Sequence, residues 1–300
     1  MAARNMPSAE VDITDDLVGD LLRDQHPDLG ELPRTLVANG WDNAVVRLGA
    51  DLCLRLPRRA AAAELVLHEQ RWLPALADGL PLPVPAPVRT GVGGRGYPWP
   101  WSVCPWFDGE LAADVVLDDP VAAARTLGAF VAALHVPAPA DAPVNPVRGH
   151  PIDQLGARLT ANLEALELDQ EDEVRDRWAE LADTPAWGGP PLWIHGDLHS
   201  ANVLVAPAAG GVEITAVIDF GDIAGADPAV DLAIGWMLFD PPARTAFRTA
   251  AGQGRYPVDD AMWRRAEAWA LHFAVVYLAN SADDQRLARI GRRSLAAVLA

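Results

Sequence analysis

The chain of 300 residues contains no lysine: all 24 of its basic residues are arginine. That absence excludes any mechanism built on a lysine amine, such as a Schiff base or a P-loop lysine on a phosphate. Arginine must serve wherever an anion needs a fixed cation. Basic charge is scarce altogether, since 41 acidic residues oppose those 24 and leave a formal charge of −17 with a pI near 4.7. The phosphate-neutralising surface required for sequence-independent nucleic-acid binding does not fit this balance. A cationic small molecule suits the field better. The two cysteines, Cys53 and Cys104, are too few and too isolated in the sequence for a disulfide framework or a zinc site, and they read as thiols of a reducing, cytoplasmic setting. Long apolar runs are missing as well. Residues 268–279 form the longest near the C-terminus, interrupted by His272 and well short of the roughly 20 residues that cross a bilayer. Residues 1–16 are polar and acidic, without the apolar stretch of a secretory signal.

What is present describes a globular chain. Half of the residues are hydrophobic and 22% charged, and the 24 glycines and 26 prolines follow no period. The length suits about two domains or one two-lobed domain. Residues 45–48 and 52–56 are strand-like and joined by Gly49-Ala50-Asp51, a hairpin signal. A helix is predicted over residues 60–77. Pro81, Pro83, Pro85 and Pro87 alternate with apolar residues, which suits an extended connection. Residues 88–90 and 98–104 then flank a glycine-rich tip at 91–96 and predict a second hairpin. Beyond Gly109 the apolar spacing turns helical, at 120–135, 152–168, 171–181 and 259–278, with a β island at 192–194, 203–205 and 214–219. The expected organisation is an α+β chain: a β-rich lobe over residues 1–104, and a larger, mostly helical lobe over 105–300.

The strongest chemical signal is His195-Gly196-Asp197-Leu198-His199-Ser200-Ala201-Asn202, followed by Val217-Ile218-Asp219-Phe220-Gly221-Asp222. Each residue alone reads equally well as a turn former or a strand end. Together they set three oxygen ligands around one loop. Phosphoryl transfer needs such a set: one carboxylate to accept a hydroxyl proton, and an amide with a second carboxylate to hold Mg²⁺.

This pattern resembles the aminoglycoside phosphotransferase and choline kinase branch of the protein-kinase-like fold, rather than the H-R-D pattern of protein kinases. Gly40-Trp41-Asp42-Asn43, Leu54-Arg55-Leu56-Pro57, Trp106-Phe107-Asp108-Gly109-Glu110 and Asp227-Pro228-Ala229-Val230-Asp231 extend the likeness over most of the chain. The resemblance implies a bilobal fold, with a small β-rich N-lobe carrying one regulatory-type helix and a mostly helical C-lobe. It implies transfer of the γ-phosphoryl group of ATP or GTP to a small-molecule hydroxyl. Asp197 then takes the part of the catalytic base, Asn202 and Asp219 those of the Mg²⁺ ligands, and Asp231 and His195 those of structural braces. The family's strand lysine falls at Arg55. Gly40 and Asn43 lie in the turn that would cover the phosphates, although a single glycine is a weak signal. Adenine would bond main-chain groups of the connection at Val103 and Cys104, since Pro105 has no N–H.

Helix spacing selects a partner for Arg55. Glu69 shares an apolar stripe with Leu65, Trp72 and Leu76, whereas Glu64 lies with His68 and Arg71 on the polar face. A carboxylate on an apolar face requires a facing cation. For the acceptor, the resemblance and the acidic balance point to an aminoglycoside or related amino-sugar. Macrolides and metabolites such as choline, homoserine or a thio-sugar stand as alternatives, as does a silent nucleotide-binding protein. Substrate contacts are expected from residues 144–181 and from the last helices, and the oligomeric state is left open.

Overall fold

The computed structural model describes residues 7–281 and 283–300. Residues 1–6, the start of the polar N-terminus, lie outside the described residues. The described residues divide into two compact units, one made of residues 7–78 with Val84–Asp108, the other of Gly79–Pro83 with the described residues from Gly109 onward. This division falls at Asp108/Gly109, whereas the sequence reading places its lobe boundary between 104 and 105. Hydrogen bonding explains the shift: Trp106 N donates to Asp51 O at 2.8 Å, and Arg47 both covers the Trp106 ring and pairs with Asp108 at 3.1 Å. The short segment Gly79–Pro83 goes with the second unit, where Val217 N donates to Pro83 O at 3.1 Å.

The first unit is a five-stranded antiparallel sheet with two helices. Helix α1 (Asp15–Gln25) precedes β1 (Arg34–Asn39), β2 (Asn43–Leu48), β3 (Leu52–Pro57), α2 (Ala60–Ala77), β4 (Arg89–Gly91) and β5 (Trp101–Pro105). The strand order is β1-β2-β3-β5-β4. Helix α1 and strand β1 are additions to the sequence reading, which expects a single helix here. Thr14 caps α1 by accepting from Leu17 N, and Val18, Leu21 and Leu22 pack on Val46, Leu54, Leu56, Tyr97 and Trp101. Strand alternation sends Leu54 and Leu56 into that core and turns Cys53 and Arg55 to the opposite face, toward α2. Register sets Cys53 directly across from Cys104, and both are free thiols. Burial pushes the Cys53 thiol up to about 11, so the pair is chemically quiet.

The second unit begins with β6 (Glu110–Leu111) and α3 (Pro120–Leu134), whose N-cap Asp119 accepts from Ala122 N at 2.9 Å. Helices α4 (Gly156–Glu164) and α5 (Glu171–Ala182) follow. The helix expected over 152–168 is shorter than predicted, because Ile152–Gln154 closes as a separate 3₁₀ turn. The β island comprises β7 (Leu192–Ile194), β8 (Val203–Ala208), β9 (Gly211–Val217) and β10 (Ala224–Ala226), in ribbons β6-β8-β9 and β10-β7. Five helices complete the unit: α6 (Ala229–Leu232), α7 (Ile234–Leu238), α8 (Pro241–Ala251), α9 (Asp260–Asn280) and α10 (Gln285–Leu299). Helix α9 is its axis, buried almost without interruption from Ala266 to Val275. Among the described residues, no helix is long and apolar enough to cross a membrane.

Candidate active site

In the second unit, β7 delivers the chain into the loop His195–Asn202, and Asp231 fixes that loop from beneath. The fully buried Asp231 carboxylate accepts from His195 N at 2.8 Å, Gly196 N at 2.9 Å and the His135 ring at 3.1 Å. Three donors on one buried carboxylate offset its desolvation. His135, which ends α3, has this bracing contact and none to the reacting side of the loop. The His195 ring, also fully buried, donates through Nε2 to Ile218 O at 2.9 Å and accepts from Asp197 N through Nδ1 at 3.2 Å. Gly196 is required here: its φ is +85°, and a Cβ would lie 2.5 Å from Asp222 O. The backbone reversal that presents Asp197 is therefore locked by three separate contacts.

Strands β8 and β9 pair Val203 with Val217, and the ribbon continues through Ile218 N to Asn202 O at 2.9 Å. Asn202 and Asp219 thus emerge at the same end of one ribbon. Asn202 Nδ2 donates to Asp197 O at 2.9 Å, which leaves its side-chain oxygen as the coordinating atom. Asp219 is exposed and adopts φ +65°, an uncommon conformation for a residue with a Cβ and frequent at functional sites. Among the described residues, no group of three His, Cys, Asp or Glu is arranged to hold a metal. One amide oxygen and one carboxylate fit Mg²⁺, which keeps several positions for water and phosphate oxygens.

Asp197 has neighbours that the sequence reading does not supply. Arg148 donates from a terminal nitrogen to Asp197 Oδ1 at 2.8 Å, and its Nε lies 3.4 Å from Asp222 Oδ2. His199 Nε2 is 3.5 Å from Asp197 Oδ2. Burial pushes the Asp197 carboxyl up, but Arg148, with His199 and His195, outweighs burial and holds it well below the usual carboxylate range. Asp222 moves the other way, chiefly through burial, with the charges of Asp197 and Asp219 adding to it against Arg148 and Asn145. Helix α9 supplies an aromatic wall: Phe273 lies under Arg148 at 4.9 Å, Tyr277 stacks on Phe273 at 5.6 Å, and Tyr277 meets His199 edge-on at 5.7 Å. The spacing of Phe273 and Tyr277, four apart on a helix, is the only local signal for this wall.

In the first unit, Arg55 on β3 and Glu69 on α2 form a two-point ion pair, with Nε to Oε2 at 3.3 Å and a terminal nitrogen to Oε1 at 3.0 Å. Both are buried, whereas the Glu64 side chain is 81% exposed. The buried row of α2 is Ala62, Val66, Glu69 and Leu73; Leu65, Trp72 and Leu76 form its half-buried edge. Glu69 belongs to both rows, so the pairing survives a rotation of the helix face. Gly40 and Asn43 close the β1–β2 turn, Gly40 N donating to Asn43 O at 2.9 Å, and Arg58 braces it by donating to Gly40 O at 2.6 Å. The buried side-chain oxygen of Asn43 has no hydrogen-bond partner. Val103 and Cys104 lie within β5, flanked by β3 and β4, and Val103 O already accepts from Val88 N at 2.8 Å. Trp101 is fully buried and belongs to the core.

Comparison with known proteins places the fold and the family. The GDP and kanamycin complex of APH(2")-IIia superposes with a TM-score of 0.70 at 21% identity, over 93% of this chain and 97% of that one. Macrolide 2'-phosphotransferase MphH from Brachybacterium faecium gives 0.61 at 24% identity, over 94% and 98%. The streptomycin-ATP-APH(2")-IIa ternary complex gives 0.59 at 16% identity, over 95% and 97%. These likenesses define the fold as kinase-like, with a small antiparallel-sheet lobe and a helical lobe. The family model described as the phosphotransferase enzyme family, APH, matches residues 34–269. The chain therefore belongs to the APH phosphotransferase family, whose members are small-molecule O-phosphotransferases.

Proposed function

We propose that this protein transfers the γ-phosphoryl group of ATP or GTP to a hydroxyl of a small molecule, with Asp197 as the base that orients and receives the hydroxyl proton. The observation that carries this reading is the end of the β8–β9 ribbon, where Asn202 and Asp219 stand together and Asn202 is hydrogen-bonded to the Asp197 backbone at 2.9 Å. Asn202 and Asp219 would hold Mg²⁺, which when bound neutralises phosphate charge. Asp197 works by position more than by basicity, since its carboxyl is held low. In the sheet lobe, Glu69 holds the Arg55 fork for the α- and β-phosphates. Arginine retains the charge of the usual lysine with a wider, two-point grip. The Gly40–Asn43 turn would cover the phosphates, and the main chain at Val103 and Cys104 would border the base.

Two acceptor classes have support. The net charge of −17 favours a cationic aminoglycoside, and APH(2")-family neighbours were solved with kanamycin and streptomycin. Arg148, 2.8 Å from Asp197, favours an acceptor without an amine beside the reacting hydroxyl. The test is nucleotide consumption with Mg²⁺ against a panel of aminoglycosides, macrolides, amino alcohols, sugars and sugar acids. Acceptor-dependent consumption with a phosphorylated product by mass spectrometry is the expected result. Binding of nucleotide without turnover on any acceptor would favour the silent-binder alternative.

A further inference from the structure

The contacts that Asp231 and the His195 ring make to the loop backbone place the main chain of Asp197 and leave its carboxylate to be oriented by side chains. Arg148 donates to its Oδ1 at 2.8 Å, His199 Nε2 lies 3.5 Å from its Oδ2, and the Tyr277 hydroxyl is close by. The loop that carries Arg148 is itself tied down. Asn145, 8% exposed, accepts through Oδ1 from Val147 N at 2.9 Å and Arg148 N at 3.0 Å, and donates from Nδ2 to Asp222 Oδ1 at 2.6 Å. Gly149 follows at φ +67°, where a Cβ would lie 2.3 Å from that of Ala226. With the guanidinium resting on Phe273 at 4.9 Å, one cation is aimed at one point.

Charge explains what that cation does. Two carboxylates approach the same guanidinium, Asp197 Oδ1 at 2.8 Å from a terminal nitrogen and Asp222 Oδ2 at 3.4 Å from Nε. Asp219 brings a third carboxylate to the corner, and its charge and that of Asp197 both act on Asp222. Like charges this close repel each other, and a carboxylate turns easily about its last bond. A divalent cation beside Asn202 and Asp219 would draw the other two carboxylates toward itself. The planar fork of a guanidinium can hold two carboxylates in set orientations, whereas an ammonium is a point charge and cannot. With Oδ1 committed to Arg148, Oδ2 is the oxygen that an acceptor hydroxyl reaches, and the 26% exposure of the Asp197 side chain gives access to it.

We propose that Arg148 is a positioning residue of the transfer: it clamps Asp197 by Oδ1 and Asp222 by Oδ2, presents Asp197 Oδ2 to the acceptor hydroxyl, and keeps both carboxylates out of the Mg²⁺ coordination that Asn202 and Asp219 would provide. The role rests on the phosphotransferase reading above. Arg148 acts on the rate through the geometry of another residue and leaves nucleotide affinity alone.

The test compares wild type with Arg148→Met, which keeps an apolar stem over Phe273 and removes the charge, and with Arg148→Lys. Turnover is read as kcat and nucleotide KM with Mg²⁺ and ATP or GTP, on kanamycin or on the acceptor of the panel above that is turned over fastest. Arg148→Met should lower kcat by about ten- to a hundredfold with nucleotide KM within about threefold, and Arg148→Lys should recover part of the loss. On an Asp197→Asn background Arg148→Met should cost almost nothing further, because the two residues act as a unit. Metal binding is read without nucleotide or acceptor, by titrating Mn²⁺ and following its electron paramagnetic resonance signal. Arg148→Met should bind Mn²⁺ about fivefold more tightly, the worth of one unit charge at about 4 Å in water, and adding Asp222→Asn should cancel the gain. Should Arg148→Met fold poorly, Arg148→Lys carries the test through a lower kcat at unchanged nucleotide KM. A kcat within about threefold of wild type, a fall in kcat matched by a rise in nucleotide KM, a full further loss on the Asp197→Asn background, or an unmoved Mn²⁺ affinity would each overturn the clamp. If wild type turns over no acceptor while Mn²⁺ binding rises as stated, the phosphotransferase reading fails and the clamp on the two carboxylates stands. Turnover by wild type with any of the overturning results removes Arg148 from its role and leaves the phosphotransferase reading intact.

Discussion

Two arginine–carboxylate pairs, Arg55–Glu69 in the first unit and Arg148–Asp197 in the second, are built differently. Arg55 and Glu69 meet fork to fork, with two hydrogen bonds at 3.0 and 3.3 Å between regular elements, a strand and a helix. Arg148 makes a single hydrogen bond to Asp197 at 2.8 Å, turns its Nε to Asp222 at 3.4 Å and sits on a loop. A two-point pair on rigid elements fixes a charge in place. An arginine on a loop, divided between two carboxylates, ties those carboxylates to each other. The contrast separates an arginine held by one carboxylate from one that holds two.

The largest effect is expected from breaking the second pair at its carboxylate. Asp197→Asn removes the proton acceptor and should lower turnover by more than about a hundredfold, while nucleotide still binds, because the residues proposed to hold it are untouched. Stopped or coupled assays with a folded variant, verified by circular dichroism, decide it. Near-wild-type turnover would remove Asp197 from its proposed role.

Breaking the first pair should act on nucleotide instead. Glu69→Ala leaves a buried guanidinium short of its partner, a loss that can reach about 3 to 5 kcal/mol, and should raise the nucleotide KM. Arg55→Ala should damage nucleotide use further, and Arg55→Lys should retain part of it. Glu64→Ala, on the exposed face, should change little. A double-mutant cycle on stability and nucleotide affinity sharpens the point: coupling of Arg55 to Glu69 no larger than to Glu64 would refute the pairing.

Next in size is the metal end of the β8–β9 ribbon. Asp219→Ala should weaken Mg²⁺-dependent nucleotide binding more than Asn202→Ala, since a carboxylate is the stronger ligand for a hard cation. Calorimetric titration with and without Mg²⁺ reads both. Unchanged Mg²⁺ dependence in the two variants would clear them of this role.

The same contrast governs what the sequence discloses. Arg55 and Glu69 are 14 residues apart on elements whose periods, two and 3.6, are local properties of the chain, so their pairing is legible before any coordinates. The motif from His195 to Asn202, and Asp219 after a strand, are legible for the same reason. Arg148 lies 49 residues from Asp197 in a loop without periodicity, and only tertiary folding brings it there. Phe273 and Tyr277 hide within a helix buried on nearly all sides, where no polar face marks which residues front the loop. Helix α1 is a different case, because Val18, Leu21 and Leu22 carry a helical spacing that β-type runs nearby overshadow. The division at Asp108/Gly109 goes with the hydrogen bonds of Trp106 and Val217, which no composition shift records.

The smallest predicted effect is on acid stability and concerns the buried floor beneath Arg148. His272 is 1% exposed, its Nδ1 has no hydrogen-bond partner, and burial, with Arg158 and Arg148 adding to it, pulls its imidazolium down to about 3 from an ordinary 6.5. The unfolded chain therefore takes up a proton below pH 6.5 that the native ring refuses until about pH 3. Stability from this group is fully present above pH 6.5 and is lost as the pH falls toward 3, at about 1.4 kcal/mol for each unit traversed. Asp197, held low, contributes in the same sense only below the ordinary carboxylate range, and Asp222, raised by burial, works in the opposite sense. The difference between wild type and His272→Phe isolates the histidine, because phenylalanine has a similar ring and nothing to protonate beside Trp269 and Phe273. Urea midpoints at pH 7 and pH 4.5 should fall for both proteins, but by about 2 to 3 kcal/mol less for the variant. An equal fall would mean that His272 is protonated in the native state, and that the floor under Arg148 admits a second positive charge.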